Sequence, residues 1–316
     1  MLLLLLLLLA PASPDALWNR GTQLYDRNQF RESEATFLKF VAIEPKAAAG
    51  WAFLGLCEFE NRAYPNSLTH LQRALRIGLP EAEPLSKVTR YHAALVLTLL
   101  GHFESAVQLF GQLAVLDAGD RETVIATGLA GLRLPLLPSA LPAGKEEFAF
   151  DVGHAMRETS ARRAASGKTE FESLLTRYPD APELHYLFGE SLLNADPDQA
   201  LVQWKREIEI SPKHVHARLQ IAFEYLKRGD SEAAAIYARE AASIDPESFA
   251  AHNALGRSLV NSGEVEQGVS ELERARDLAP NSPETRIALA SAYAKIGRPN
   301  DAKREREEFV RLRNQR

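Results

Sequence analysis

The sequence has almost no cysteine, since Cys57 is the only one in 316 residues. A single thiol cannot form an intrachain disulfide, so disulfides do not stabilise this fold. Its position in the apolar stretch WAFLGLCEF predicts a buried, unreactive thiol. The chain also has no large excess of charge, with 37 Lys and Arg against 42 Asp and Glu. A net charge of −5 argues against the basic face that non-specific nucleic-acid binding requires.

Long hydrophobic runs are also missing, apart from Leu2–Leu9 at the start. A membrane span needs roughly 20 apolar residues, and this run is stopped by Pro11. Its length is typical of a signal-peptide core, and Ala10-Pro11-Ala12 fits a small-residue cleavage site. No Lys or Arg precedes the leucines. We expect residues 1–12 to be a signal peptide and the protein to be exported, either periplasmic or secreted. If the leader is not functional, the expectation is a cytoplasmic protein, and an uncleaved leader would be its only membrane anchor.

The sequence lacks the local motifs of common enzymes: no G-x-S-x-G, H-E-x-x-H or glycine-rich dinucleotide loop is present. Ser166-Gly167-Lys168-Thr169 resembles the end of a phosphate-binding loop, but Arg162 stands where the motif needs glycine. His214 and His216 are two residues apart, a spacing that does not share a helix face. We therefore expect no enzyme and no catalytic, cofactor-binding or metal-ligating residues. A site assembled across distant segments is the less favoured alternative.

What the sequence does contain is an internal repeat. Prolines recur at one constant interval at Pro212, Pro246 and Pro280, and glycines recur at the same interval at Gly229, Gly263 and Gly297. Between these positions the apolar spacing is helical. The pattern predicts a unit of helix, glycine-containing turn, helix and proline stop.

The unit from Phe249 to Pro280 illustrates how such a repeat packs. One face of its first helix is apolar, and the second helix returns a matching face of small and apolar residues. The first set is Leu255, Gly256 and Leu259, and the second is Gly268, Leu272 and Ala275. The small residues Gly256, Gly268 and Ala275 predict a close approach of the two helices, and Gly263 predicts a left-handed turn between them.

This pattern resembles the tetratricopeptide repeat, with its W-x2-L-G-x2-Y…A…F…A…P signature. The resemblance is carried by in-phase residues in several units. They are Trp51, Leu54, Gly55, Leu71 and Ala74 in one unit, Gly101, Phe103, Ala106, Phe110 and Leu113 in another, and Leu187, Gly189, Leu192, Ala200 and Trp204 in a third. The resemblance implies an all-α, right-handed helix-turn-helix solenoid of about seven to eight units.

The regularity of the repeat suggests a division of the chain. We expect an N-terminal stack of about three units over residues 13–118, after the leader of residues 1–12. Residues 119–147 are expected to form a helix and a proline-rich break, PLLPSALPAG. A C-terminal stack would cover residues 148–316 and end in a charged capping helix.

In the family that this chain resembles, partner segments bind in a concave groove lined by the first helix of each unit. Carried over to this sequence, the resemblance implies one set of groove residues. They are Tyr186, Glu190, Asn194, His216, Leu219, Phe223, Lys227, Asn253, Arg257, Asn261, Ile287, Ser291 and Lys295. Asn253 and Asn261 could bond a peptide backbone, and Arg257 could hold a carboxylate.

We therefore expect a non-catalytic scaffold that binds a protein or peptide segment. The alternative is an accessory or assembly subunit of an envelope or secretion complex. A subset of the family binds chaperone C-termini through a clamp of Lys, Asn, Asn, Lys and Arg. Here the clamp positions hold Leu219, Phe223, Ala254, Glu284 and Ala288, so that specificity is not predicted. The sequence names neither the partner nor the oligomeric state.

Overall fold

The structure is a computed structural model that describes residues 13–80, 83–116, 119–161 and 164–314. Every regular element in these ranges is helical, which confirms the expected all-α class. The helices are α1 (Pro14–Asp26), α2 (Phe30–Ile43), α3 (Ala48–Glu60), α4 (Tyr64–Ile77), α5 (Pro84–Leu99), α6 (Phe103–Val115), α7 (Arg121–Gly131), α8 (Glu146–Ser160), α9 (Ala164–Arg177), α10 (Leu184–Leu192), α11 (Pro197–Ile210), α12 (Val215–Arg228), α13 (Ser231–Ile244), α14 (Phe249–Ser262), α15 (Val265–Leu278), α16 (Pro283–Lys295) and α17 (Pro299–Arg313). The leader expected at residues 1–12 lies outside the described residues. Within the described ranges, no helix combines the length and the apolar character that a membrane crossing requires.

Consecutive helices pack as pairs, and within each of two compact parts of the chain each pair packs on the next. The chain divides into two compact parts after Leu174, within α9. The N-terminal part contains the pairs α1–α2, α3–α4, α5–α6 and α7–α8, and the C-terminal part contains α10–α11, α12–α13, α14–α15 and α16–α17. The eight described pairs agree with the expected helix-turn-helix solenoid of about seven to eight units. The proline-rich segment 135–144, with a 3-10 turn at Pro138–Ala140, lies inside the N-terminal part and connects α7 to α8.

In most repeats, the turn between the two helices has a left-handed residue at a fixed position, and the α10–α11 turn is an exception. Gly229, Gly263 and Gly297 have φ angles of 82°, 99° and 73°, as their spacing predicts. The equivalent residues of the first two repeats are Asn28 and Arg62, with φ angles of 58° and 63°. An L-residue tolerates this conformation less well than glycine. The turn geometry therefore repeats even where glycine does not.

The start of the first helix also repeats. His214, Ser248 and Ser282, each one repeat period after the last, are the N-caps of α12, α14 and α16. Each side chain accepts a hydrogen bond from the backbone N–H three residues later, at 3.0–3.3 Å. These caps satisfy one of the N–H groups that a helix leaves without an internal partner. They fix where each first helix begins.

The core of the C-terminal part is a series of clusters, each shared between a repeat and its neighbour. Leu255 and Leu259 of α14 are buried with alanines of α12 and α13, and Leu272 of α15 is buried with α16 and α17 residues. Gly256 and Gly268 make the predicted close approach, since a Cβ on either would lie 2.8 Å from the other's carbonyl oxygen. A repeat therefore buries its apolar faces only by stacking.

A tighter crossing occurs in the N-terminal part, between α7 and α8. A Cβ on Gly128 would overlap the Ala149 carbonyl oxygen, and one on Gly153 would overlap the Val124 carbonyl oxygen. The two backbones are therefore in direct contact. The repeat spacing does not predict this pair, because the proline-rich connection separates α7 from α8 and interrupts that spacing.

Candidate functional site

The expected groove residues all belong to the first helices of the C-terminal part, α10, α12, α14 and α16, or directly follow one. The structure exposes eight of them, half-buries two and buries three. The exposed residues are Asn194, Phe223, Lys227, Arg257, Asn261, Ile287, Ser291 and Lys295. Glu190 and His216 are half-buried, and Tyr186, Leu219 and Asn253 are buried.

The three buried residues occupy the same position in successive repeats. The ring of Tyr186 lies 4.8 Å from the ring of His214, and Asn253 Nδ2 donates a hydrogen bond to Thr285 Oγ1 at 2.8 Å. Both contacts reach the next repeat. Ile287 holds this position on α16 and is 44% exposed. This row therefore joins neighbouring repeats, and Asn253 has its amide nitrogen engaged in packing instead of facing an open surface.

Apart from His216, the remaining positions form two parallel rows that stay accessible. One row is Glu190, Phe223, Arg257 and Ser291, and the other is Asn194, Lys227, Asn261 and Lys295. Within each repeat the two residues are four apart, so they lie on one helix face. We call these eight residues the open face. It crosses four repeats and rests on the buried row beside it.

The apolar part of the open face is Phe223 on α12, which is 37% exposed. Leaving a large aromatic ring partly in water forgoes the stabilisation that full burial provides. At the α16 end, Ser291 and Lys295 border a shallow cavity of about 500 Å³. Its other lining residues are Ile287, Ala290, Ala294 and Arg306. The face thus offers an aromatic contact at one repeat and a concave surface two repeats away.

The charge on the open face is uneven. Lys227, Arg257 and Lys295 contribute three cations, while Glu190 contributes the one carboxylate and accepts a hydrogen bond from Gln220 Nε2 at 3.1 Å. Lys295 Nζ donates to the Val260 carbonyl at 3.2 Å, which leaves its charge without a carboxylate. Arg257 makes no ion pair or hydrogen bond with any residue that the structure describes. The face is therefore net positive.

Lys227 lies near the carboxylate of Glu224, but that carboxylate also binds Arg228. Lys227 Nζ lies 3.5 Å from Glu224 Oε2, and the same carboxylate accepts a hydrogen bond from Arg228 Nε at 2.7 Å. Glu224 is buried, whereas the Lys227 side chain is 69% exposed. The Lys227 charge therefore points into solvent at the open face.

The residues considered for chemistry in the sequence have structural partners. His214 Nδ1 accepts from the backbone at its helix cap, and His214 Nε2 lies 2.9 Å from Glu183 Oε2. The described residues contain no group of three or more His, Cys, Asp or Glu side chains placed to hold a metal ion. Residues 166–169 lie within α9, a helix, where Gly167 packs against Thr159. Both features have contacts within the fold.

Cys57 is fully buried on α3, as its surroundings predict. Its thiol donates to Ser33 Oγ at 3.2 Å, and Ser33 in turn donates to the Gly21 carbonyl at 2.9 Å. Burial raises the pKa of the Cys57 thiol to about 11. At neutral pH the thiolate, which is the reactive form, is therefore scarce.

Two histidines at equivalent repeat positions, His185 and His252, make the same packing contact. His185 Nε2 donates to the Pro179 carbonyl at 2.9 Å, and His252 Nε2 donates to the Pro246 carbonyl at 3.0 Å. Arg286 makes the same contact with Pro280 at 2.8 Å. These bonds tie each first helix to the end of the preceding helix. The sequence signal for Arg286 is its position one repeat period after His252.

The N-terminal part contains a cluster of partly buried aromatic rings on α1 and α3. Trp18, Tyr25 and Phe53 form edge-on ring contacts, with centroids 5.4 Å apart for the Trp18–Phe53 and Tyr25–Phe53 pairs. These rings are only partly buried. Trp18 lies one repeat period before Ala52, and Tyr25 lies one period before Phe59, so the repeat spacing could have located them.

The family model described as "Tetratricopeptide repeat" matches the chain at residues 19–81, 219–283 and 253–302. The first match covers most of α1 and extends through α4, and the other two run from α12 into α17. Both compact parts thus contain matched repeats, and the two C-terminal matches together include six of the eight open-face residues.

Solved structures with a similar arrangement include "MamA 41-end from Desulfovibrio magneticus RS-1". It is 17% identical, with 52% of this chain and 94% of that chain covered and a TM-score of 0.49. Another is "Crystal structure of MamA protein", which is 14% identical. The match covers 54% of this chain and 93% of that chain, with a TM-score of 0.49. Sequence comparison finds no match among curated proteins.

Proposed function

Because the chain belongs to the tetratricopeptide repeat family, we propose that it is a non-catalytic scaffold, which binds a segment of a partner protein on the open face. Repeats of this kind form extended binding surfaces from equivalent positions of successive units, so the fold supports a protein-interaction scaffold in general. The specific surface proposed here consists of the two accessible rows on α10, α12, α14 and α16.

The observation that carries this proposal is the exposed ring of Phe223 beside the exposed cations Lys227 and Arg257. Phe223 lies one turn from Lys227 on α12 and occupies the same repeat position as Arg257 on α14. Exposed aromatic and arginine side chains are the residue types that contribute most to binding when a partner covers them. Two such residues on neighbouring helices can anchor one segment.

The non-catalytic role is supported by how the nearby polar side chains are used. His214 caps α12, Glu224 pairs with Arg228, and Glu271 lies 2.6 Å from His252 Nδ1. Each of these interactions holds one helix or links two. None places a nucleophile beside a base in the way that covalent catalysis requires.

The proposal is tested by affinity capture from the native source with the double variant Phe223→Ala, Arg257→Ala. We expect helical circular dichroism to stay unchanged and the captured partner to fall at least tenfold, since each side chain can contribute about 1 kcal/mol or more. The yield is measured by quantitative mass spectrometry.

The matched control is Ile236→Ala, Arg239→Ala, which removes an exposed apolar residue and an exposed arginine from α13. Capture by this control should equal that of the unaltered protein. Equal capture by the open-face variant would show that partners bind elsewhere.

A further inference from the structure

The charges on the open face indicate the chemistry of the segment that binds there. Its cations come from three different helices: Lys227 from α12, Arg257 from α14 and Lys295 from α16. None of the three has an exposed carboxylate partner among the described residues. A ligand that contacts all three must therefore run across the helices instead of along one of them.

The carboxylates on or directly before α10 and α12 are engaged by other side chains. Glu183 Oε2 lies 2.9 Å from His214 Nε2, and Glu224 is 4% exposed and accepts from Arg228. Glu190 is half-buried and shares its carboxylate with Gln220. The chain as a whole is acidic, with a net charge of −5. A local excess of accessible cations on such a chain favours an anionic partner over a cationic one.

The spacing of the cations suggests the form of that partner. Packed helices lie roughly 8–10 Å apart, and an extended chain advances about 3.3 Å per residue. Three residues of an extended segment therefore span one repeat. Carboxylates at about every third residue would meet successive cations, and an apolar side chain between them would reach Phe223.

We propose that the segment bound on the open face is an extended acidic peptide with carboxylates at about every third residue. This inference rests on the proposed function and specifies its partner class. Lys227, Arg257 and Lys295 pair with the carboxylates, and Phe223 provides the apolar contact. The overall acidity of the chain favours such a peptide over a nucleic acid, which presents a denser array of charge.

The probes are two fluorescein-labelled peptides. The acidic peptide repeats the triplet Glu-Leu-Gln, and the control repeats Lys-Leu-Gln, which has the same spacing and the opposite charge. Fluorescence anisotropy with the full chain should show the acidic peptide binding at least about tenfold more tightly at low salt. Added salt should reduce this preference, because the pairs are exposed. The single variant Arg257→Ala should weaken acidic-peptide binding about two- to fivefold.

The decisive variant reverses the three cations together: Lys227→Glu, Arg257→Glu, Lys295→Glu. We expect it to prefer the Lys peptide while its circular dichroism stays unchanged, because all three side chains are exposed. The matched control reverses three exposed cations on second helices, Arg239→Glu, Arg274→Glu and Lys303→Glu. It should retain the preference for the acidic peptide.

Three results would overturn the inference. One is equal or absent binding of the two peptides to the unaltered chain, and another is a preference that the reversal leaves unchanged. The third is displacement of the acidic peptide by a thymidine oligonucleotide of equal charge at equal or lower concentration, which would assign the cations to phosphates. If the Phe223 and Arg257 capture experiment succeeds while the acidic preference is missing, the scaffold proposal stands and only the partner class is wrong.

Discussion

Trp204→Ala is expected to lower the free energy of unfolding by about 3–5 kcal/mol, the range for truncating a buried tryptophan. Trp204 on α11 is fully buried and is among the largest fully buried side chains. It packs directly on the α10 backbone at Gly189, where a Cβ would lie 2.6 Å from the indole Cδ1. Removing the indole leaves a cavity that two packed helices cannot close without moving. The midpoint of urea unfolding, followed by helical circular dichroism, measures the effect.

Trp204→Phe is the matched control because it keeps an aromatic ring at the same place. The indole Nε1 is buried and has no hydrogen-bond partner among the described residues, so its loss breaks no bond. We expect a clearly smaller cost than for Trp204→Ala, because the phenyl ring still fills most of the space and leaves a smaller cavity. If Trp204→Ala shifted the midpoint no more than Trp204→Phe, the packing of α11 on Gly189 would be contradicted.

Gly128→Ala is expected to destabilise the N-terminal part by about 1–3 kcal/mol or more, the range for overpacking. This is opposite to the usual effect in a helix, where alanine is favoured over glycine by about 1 kcal/mol. The added methyl would overlap the Ala149 carbonyl oxygen and lie 3.0 Å from the Gly153 nitrogen. Both obstacles are backbone atoms, so the helices must separate to accommodate it.

Gly111→Ala on α6 provides the comparison within the same protein. A Cβ there would lie 3.4 Å from Ser160 Oγ, a contact with a small side chain that can adjust. Its unfolding midpoint should be unchanged or raised, by up to about 1 kcal/mol of stability. If the Gly128 and Gly111 variants had the same effect, α7 and α8 could not cross as closely as described.

The repeat spacing predicts much of the C-terminal part because each position has the same neighbours in every unit. Leu255 and Leu272 are buried, Gly256 and Gly268 meet, and Gly263 adopts the left-handed conformation. Each of these features depends on contacts within one repeat or with the next one. A periodic sequence contains that information directly.

Other features depend on contacts that no local pattern reveals. The sequence predicts Asn253 to be a polar surface residue. In the structure it is buried, and its amide donates a hydrogen bond to Thr285 of the next repeat at 2.8 Å. Asn28 and Arg62 occupy left-handed turns without the glycine that would signal them. Gly128 and Gly153 meet across a connection of irregular length. In each case tertiary packing, and not local preference, decides the conformation.

The repeat spacing likewise predicts some features of the candidate site, while others depend on tertiary contacts. Repeat positions assign the expected residues to one face of the first helices, because helical spacing fixes which residues share a face. Repeat positions alone do not distinguish the buried row, which contacts the next repeat, from the two accessible rows of the open face. That distinction requires the neighbouring helix, and it moves the centre of the site to Phe223, Arg257 and the lysines beside them.

Site-specific photo-crosslinking tests the central claim most directly. A benzoylphenylalanine residue would replace Ser291 on the open face and, in a second protein, Ile236 on the outer side of α13, both exposed positions. We expect irradiation with the captured partner to give a crosslinked product from the Ser291 position and none from the Ile236 position. A product from Ile236 alone would contradict binding on the open face.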